Sequence, residues 1–306
     1  MDLDTRLLRY FVAVAEEGTI TRAAARLFVS QPSLTRQIRQ LEDRLGTPLF
    51  DRSRTGMTLT EPGRALARRA PALLDGLDSV LRETREAAAR AARTLRVGFL
   101  ASAANEATRW IVAEFARRRP GWRAEMRQAP WSDPSAGLAS GAVDVALVRL
   151  PFPGQEALRT TALFVEPRWV ALPAGHPLAG REVIPFRDLW DEPFVAAPAG
   201  TGEWRDHWLA AGERDGRPVR VGAVTELPDD WLSAVAHGHG VALAPASAAR
   251  FYARPGVTYR PVRGVSPSGV GVARPSVDGP GAPVVRDFVR CCLDAAGVTV
   301  PRSRRE

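Results

Sequence analysis

Leu34, Ile38, Leu41 and Leu45 recur at spacings of four, three and four. That spacing puts four apolar side chains on one stripe of a helix. Ser30 precedes the helix as a capping hydroxyl, and Pro32 suits the first turn, where its missing N–H costs nothing. Just upstream, Thr21-Arg-Ala-Ala-Ala-Arg-Leu27 predicts a shorter helix starting at Thr21, with small alanines that let it lie close to a neighbour. Phe28 and Val29 join the two helices. The face of the second helix away from the leucines carries Pro32, Arg36 and Arg39, with Ser33 and Thr35 on its flanks. Two short helices around a tight turn, the second apolar inside and basic outside, describe a unit that reads DNA.

Amphipathic helices are common, and the stripe alone would favour a purely structural role. The charge decides otherwise. Residues 22–69 hold ten arginines against four acids, a surplus of six, while the whole chain has a surplus of eight. Positive charge is concentrated where phosphate binding requires it. Further on, Gly46-Thr-Pro-Leu-Phe50 breaks the helix, and Asp51–Leu59 reads as a small hairpin or wing with Gly56 at its turn. Arg52 and Arg54 lie on that wing, placed for phosphate or the minor groove. Thr60-Glu-Pro-Gly63 opens another helix, with Thr60 as its cap.

The segments Leu8–Gly18, Thr21–Ala24, Val29–Ile38, Leu41-Glu42, Leu45-Gly46, Leu49-Phe50 and Leu59–Gly63 together resemble the winged helix-turn-helix of the LysR-type transcriptional regulators. They cover about sixty residues in one order, far more specific than a single short motif. The remainder has the length and order of that family's effector domain but is a weaker match. The resemblance implies Gln31, Pro32, Ser33, Thr35 and Arg36 at the major groove and wing arginines on the backbone. It implies an α/β fold class: an N-terminal winged helix-turn-helix (residues 1–59), a long linker helix (60–93), and a two-lobed, periplasmic-binding-protein-like α/β effector domain (94–300), before a basic tail at 301–306. Lobe I would hold 94–165 and 266–300, and lobe II 166–265. The partners implied are double-stranded promoter DNA, a small-molecule effector, a second copy or three in a homodimer or homotetramer, and RNA polymerase if the protein activates.

In residues 60–93, Leu66, Ala70, Leu73, Leu77, Val80, Thr84 and Ala87 alternate at four and three, a heptad seam that thins into alanine. A long helix with a narrow stripe and charged flanks needs a partner helix, and the resemblance implies a dimer made here through Leu66, Leu73, Leu77 and Val80. Pro71 should kink or locally break the seam.

From Leu95 the texture alternates. Strands are predicted at 95–100, 121–128, 143–148, 169–172, 194–197, 219–224, 241–244 and 270–273, and helices near 106–118, 201–211, 229–236 and 284–295. This predicts an α/β domain with mainly parallel sheets and a ligand cleft between lobes. Ser102, after the first strand, is either a helix cap or an anion contact, and Thr201 carries the same ambiguity. Arg149 ends a buried strand and can pair with an anionic ligand or with a nearby acid. All eight tryptophans lie after residue 100. Trp110, Trp122, Trp169 and Trp190 read as core. Trp131, Trp204 and Trp231, at loop or helix starts, read as pocket residues. They suit an effector with a ring or apolar body and one polar or anionic end. Asp229 and Asp230 beside Trp231 would disfavour a small acid if they faced the cleft.

Other classes fit less well. No run of eighteen apolar residues suggests a membrane span, and the first residues lack a basic start followed by an apolar stretch, so a cytoplasmic location is expected. Cys291 and Cys292 are adjacent and read as small apolar residues on a terminal helix, in keeping with a reducing compartment. All basic residues are arginine, a mark of coding bias. Ala236-His-Gly-His-Gly240 has two ring ligands without the others a metal needs, and reads as a helix end. No cofactor is expected beyond the effector. An enzyme carrying a DNA-binding head would need a nucleophile elbow or a phosphate-cradling loop, and neither run is present. A solute-binding protein would need no basic head.

Overall fold

The computed structural model describes residues 4–53, 56–101 and 105–299. The chain divides into two compact units, Met1–Thr84 and Arg85–Glu306. The division falls inside a helix, not at the expected boundaries of 59 and 93.

In the first unit, α1 (Thr5–Glu17) is capped by the Asp4 carboxylate and stops at Gly18. Next comes α2 (Ile20–Arg26), whose cap is Thr19, its hydroxyl accepting from the Arg22 N–H at 3.3 Å. The expected start at Thr21 is therefore corrected: Thr19 is the last residue with extended backbone, so the cap lies two residues earlier and the helix begins at Ile20. The following helix, α3 (Gln31–Leu45), is capped by Ser30 and contains Pro32 in its first turn. Gly46 ends it in the left-handed conformation (φ 69°), which glycine adopts without strain. Leu34, Ile38 and Leu41 are fully buried, packed on Leu7, Phe11 and Val14 of α1 and on Ala23 and Ala24 of α2. The small alanines bring the helices together, and Phe11 meets Phe50 at 5.3 Å between ring centres.

The wing is an antiparallel pair, β1 (Phe50–Ser53) and β2 (Gly56–Leu59), with Phe50 opposite Leu59. Thr60 then caps α4 (Glu61–Ala67), accepting from the Gly63 N–H at 3.0 Å. A Cβ at Gly63 would lie 2.1 Å from the Leu49 carbonyl oxygen, so only glycine lets this helix reach the wing. The single helix expected across 60–93 is instead two. It breaks at Arg68-Arg69, and α5 (Ala70–Ala91) begins with Pro71 in its first turn. Proline cannot supply the N–H that would bond back into α4, so the break precedes it.

The second unit contains two main sheets. One is built from β3 (Thr94–Phe99), β4 (Arg123–Gln128), β5 (Val145–Leu150), β6 (Leu158–Glu166) and a later strand. The other uses β7 (Arg168–Pro173), β8 (Ile184–Pro185) and two later strands. A parallel pair is formed by β9 (Pro193–Ala196) and β10 (Arg220–Val224). The later strands are β11 (Ala242–Pro245), β12 (Val257–Arg263) and β13 (Ser268–Pro275). The helices are α6 (Ala107–Arg118), α7 (Glu203–Leu209), α8 (Pro228–Ala236), α9 (Ala248–Phe251) and α10 (Ala282–Thr299). The first sheet runs β4-β3-β5-β13-β6 and the second β11-β7-β12-β8.

The expectation of mainly parallel sheets is corrected. In the first sheet β4, β3 and β5 are parallel, but β13 runs antiparallel to both its neighbours. In the second, β7 is antiparallel to β11 and β12, and only β8 pairs in parallel. The cause is that the chain crosses between sheets twice, at Pro167 and at 264–267, and the crossing strands return antiparallel. Arg168 pins these crossovers. Its guanidinium is buried and donates to the Ser266 carbonyl and hydroxyl, to the His207 carbonyl and to the Glu213 carboxylate.

Candidate DNA-reading surface and ligand cleft

On α3 the buried leucine face turns the opposite face outward. Gln31, Pro32, Arg36 and Arg39 are exposed, and Ser33 and Thr35 are half-buried at its edges. Other arginines of this unit are engaged: Arg9 with Asp78, Arg22 with Glu17, Arg26 with Glu16 and Arg64 with Glu61. Arg36 and Arg39 have no acidic partner among the described residues. Two such guanidiniums and an exposed amide, on the outward face of one helix, can reach phosphate oxygens and base edges. Arg52 lies on β1, but its side chain and the whole of Arg54 lie outside the described residues. Phe28, expected to join α2 to α3, lies in the turn between them. It is 78% exposed and held at φ 53°, unusual for a bulky residue.

The apolar seam of α5 splits in two. Ala70 and Leu74 are buried against Leu8 of α1, with Leu66 and Val12 packed beside them. Leu66 is thus half-buried within its own unit. Leu73 and Val80, by contrast, are each 60% exposed, and Leu77 between them is half-buried.

In the second unit, a cavity of about 70 Å³ lies between the two sheets. Trp131, Trp204, Trp231 and Arg149 line it, as expected, and Trp208 and Tyr252 join them. Trp131 comes from the loop after β4, where its N–H donates to the Glu226 carbonyl at 2.9 Å and the adjacent Ser132 hydroxyl donates to the Glu226 carboxylate at 2.9 Å. Its ring lies 6.3 Å from that of Trp204 and 5.9 Å from that of Trp231. Trp204 meets Trp208, one turn on, at 6.0 Å. The i, i+4 spacing of Trp204 and Trp208 on α7 was the signal that could have found Trp208.

Arg149 takes the acid rather than standing free for an anion. It is buried and pairs with Glu166, the last residue of β6. Burial works to raise the Glu166 carboxyl, but the Arg149 guanidinium and the Ser247 N–H outweigh it and hold the group below the usual range. Asn105 donates to the same carboxylate at 3.3 Å.

Thr201 is corrected. It sits in a short 3₁₀ turn, its hydroxyl donates to the Pro198 carbonyl at 2.7 Å, and it does not line the cavity. Gly202, not Thr201, precedes α7. Ser102 lies outside the described residues. Asp229 and Asp230 are exposed and do not line the cavity. Trp110, expected in the core, is 40% exposed on α6. His237 stands at the end of α8, with its Nδ1 2.8 Å from the Ser233 carbonyl oxygen. Among the described residues no three His, Cys, Asp or Glu gather as a metal would need, and no helix is long and apolar enough to cross a membrane.

His207, beside the Arg168 network, carries a pH response. Burial and then the Arg168 charge push its imidazole down from 6.5 to about 4, and its Nε2 is buried without a partner among the described residues. The unfolded chain binds this proton below pH 6.5, and the folded chain resists it until about pH 4. Stability should therefore fall as pH drops through that window and level off below it. The loss from this group between pH 7 and pH 5 should be about 2 kcal/mol. Thermal unfolding of His207→Phe should show a smaller fall over that range, and an identical fall would place the acid sensitivity elsewhere.

Two family models match. The description "Bacterial regulatory helix-turn-helix protein, lysR family" covers residues 5–64, and "LysR substrate binding domain" covers residues 88–297. The chain belongs to the LysR family of transcriptional regulators. Relatives of this LysR-family chain include the HTH-type transcriptional regulator AlsR of Bacillus subtilis, 32% identical over 84% of this chain and 85% of the relative. The Hca operon transcriptional activator HcaR of Escherichia coli is 32% identical over 94% and 96%. The small neutral protease regulatory protein of Streptomyces coelicolor is 39% identical over 67% of this chain, which spans 62% of that relative's length. The fold is also that of full-length BenM, at a TM-score of 0.53 with 26% identity over 97% of each chain. A full-length OxyR variant from Pseudomonas aeruginosa gives 0.52 with 26% identity, over 95% of this chain and 100% of the other. The relatives are named as regulators, and the family is one of DNA-binding proteins rather than enzymes.

Proposed function

We propose that this LysR-family chain reads promoter DNA through α3 as a homodimer or homotetramer and is switched by a small molecule bound between its two α/β lobes. The observation that carries the DNA reading is the exposed face of Gln31, Arg36 and Arg39, its arginines without an acidic partner among the described residues, on a helix otherwise locked into its core. The wing arginines Arg52 and Arg54 add backbone contacts, and the exposed side of α5 at Leu73, Leu77 and Val80 joins two copies. Two joined copies place two recognition helices on one operator. The cleft around Trp131, Trp204 and Trp231 is the effector site. Effector binding changes how the lobes close, and so biases the placement of the DNA-binding heads and the bend of the DNA. An activator of this kind also contacts RNA polymerase.

Both cysteines argue against a thiol switch. They are buried, and burial pushes each thiol up, away from the reactive thiolate.

Gel shifts test the reading. Gln31→Ala and Arg36→Ala should each weaken binding to the cognate site by about 1–3 kcal/mol and spare non-specific binding, as loss of base-edge contacts does. Arg52→Ala should weaken all sequences alike and flatten the salt dependence. Helix variants that bind the cognate site like the unaltered protein would remove α3 as the reading element.

A further inference from the structure

The cleft's walls are mostly carbon. Four tryptophans and Tyr252 surround it, and Arg149 is the one charged side chain lining it among the described residues. That charge is already spent on Glu166 within the protein. A ligand carboxylate here would be buried with its natural partner occupied, and an unpaired buried charge costs several kcal/mol.

The space left open is small. About 70 Å³ holds about two water molecules. The Trp131 indole lines it, in ring contact with Trp204 and Trp231. A flat, neutral ring with one polar edge therefore already packs against both of these walls. The Trp204 side chain is 4% exposed and its indole N–H has no acceptor among the described residues, nor has that of Trp208. Buried indole N–H groups ordinarily find acceptors.

We propose that the cleft takes a flat, uncharged aromatic ligand, seated against Trp204 and Trp231 in the place the Trp131 ring now fills, with an acceptor oxygen on the Trp204 N–H. The proposal rests on the reading of the cleft as the effector site and narrows it to neutral compounds. It also replaces the ring-plus-anion effector expected from the sequence.

Benzamide and benzoate are a matched pair of probes, alike in shape and different in charge. In calorimetry of the full chain at pH 7.0, benzamide should bind at least about tenfold more tightly than benzoate. Trp204→Phe keeps the ring and loses the N–H, and should weaken benzamide about threefold to tenfold. Trp131→Ala clears the occupant and should tighten benzamide by a similar factor. Glu166→Gln releases the Arg149 charge and should shift preference toward benzoate. If that variant does not fold, the first three measurements still decide. Benzoate binding as tightly as benzamide would overturn the charge assignment while leaving the cleft as a ligand site. No heat from benzamide with either the unaltered chain or Trp131→Ala would overturn the ligand class. Neither result touches the DNA reading, which the Gln31 and Arg36 gel shifts test separately.

Discussion

A double substitution, Leu73→Asp with Val80→Asp, is expected to convert the protein to monomers and to weaken binding to a two-half-site operator about 100-fold or more. Both side chains are 60% exposed on α5, and seven residues apart they share one face of the helix. Neither is buried in its own unit, where Ala70 and Leu74 make the contacts with Leu8. The substitutions should therefore leave the helix-turn-helix folded, with unchanged melting of the first unit. The operator loss arises because two joined heads bind with an effective concentration that separate heads lack. Binding to a single half-site should change little. Light scattering reads the oligomer and gel shifts read the operator. A variant that stays oligomeric would show that the copies meet elsewhere, and a destabilised monomer would show that these side chains have an internal role.

The second large effect is expected at Arg149. Arg149→Met removes the guanidinium and leaves Glu166 buried with a charge that only N–H groups offset. Breaking one side of a buried pair costs about 3–5 kcal/mol. Glu166 is a knot: it accepts from Arg149 on β5, from Asn105 before α6 and from the Ser247 N–H before α9, which joins elements of both sheets. Without Arg149 its carboxyl titrates higher, because burial then dominates. The penalty should therefore shrink as pH falls from 7 to 5, the reverse of the His207 trend. Arg149→Met combined with Glu166→Gln should recover most of the lost stability, since the amide oxygen still accepts from the Ser247 N–H and the amide NH2 can donate to the Asn105 oxygen once that side chain flips. Chemical denaturation at both pH values checks this. A single variant as stable as the unaltered chain at pH 7 would mean that the pair contributes nothing net.

The helix-turn-helix was legible in the sequence because its information is local. A leucine stripe at helical spacing, a capping serine, a proline in the first turn and a terminating glycine lie within seventeen consecutive residues, Ser30–Gly46. Each acts on its immediate neighbours, so no distant contact was needed to place the exposed face. Even so, the cap of α2 moved from Thr21 to Thr19. Two threonines two residues apart offer the same hydroxyl, and only the backbone conformation selects one.

The second unit depended on tertiary structure. The strand β6 was missed because its nine residues, Leu-Arg-Thr-Thr-Ala-Leu-Phe-Val-Glu, lie at a sheet edge where one face meets solvent and the apolar pattern is weak. The strand β12 was missed because Pro261 interrupts it, yet it pairs on both sides within its sheet. Those strands determine the antiparallel returns. The cleft followed the same division. Tryptophan at loop and helix starts was readable as a type, and three of the four were chosen on that basis. That Arg149 would be neutralised from 17 positions away, that Thr201 would turn inward, and that Trp131 would meet the rings of Trp204 and Trp231 are long-range packing outcomes. The sequence by itself determined the recognition helix, the family and the kinds of residue available to a cleft. Only the tertiary structure decided which of them meet, because charge pairing and ring contacts depend on neighbours that the chain brings together from far apart.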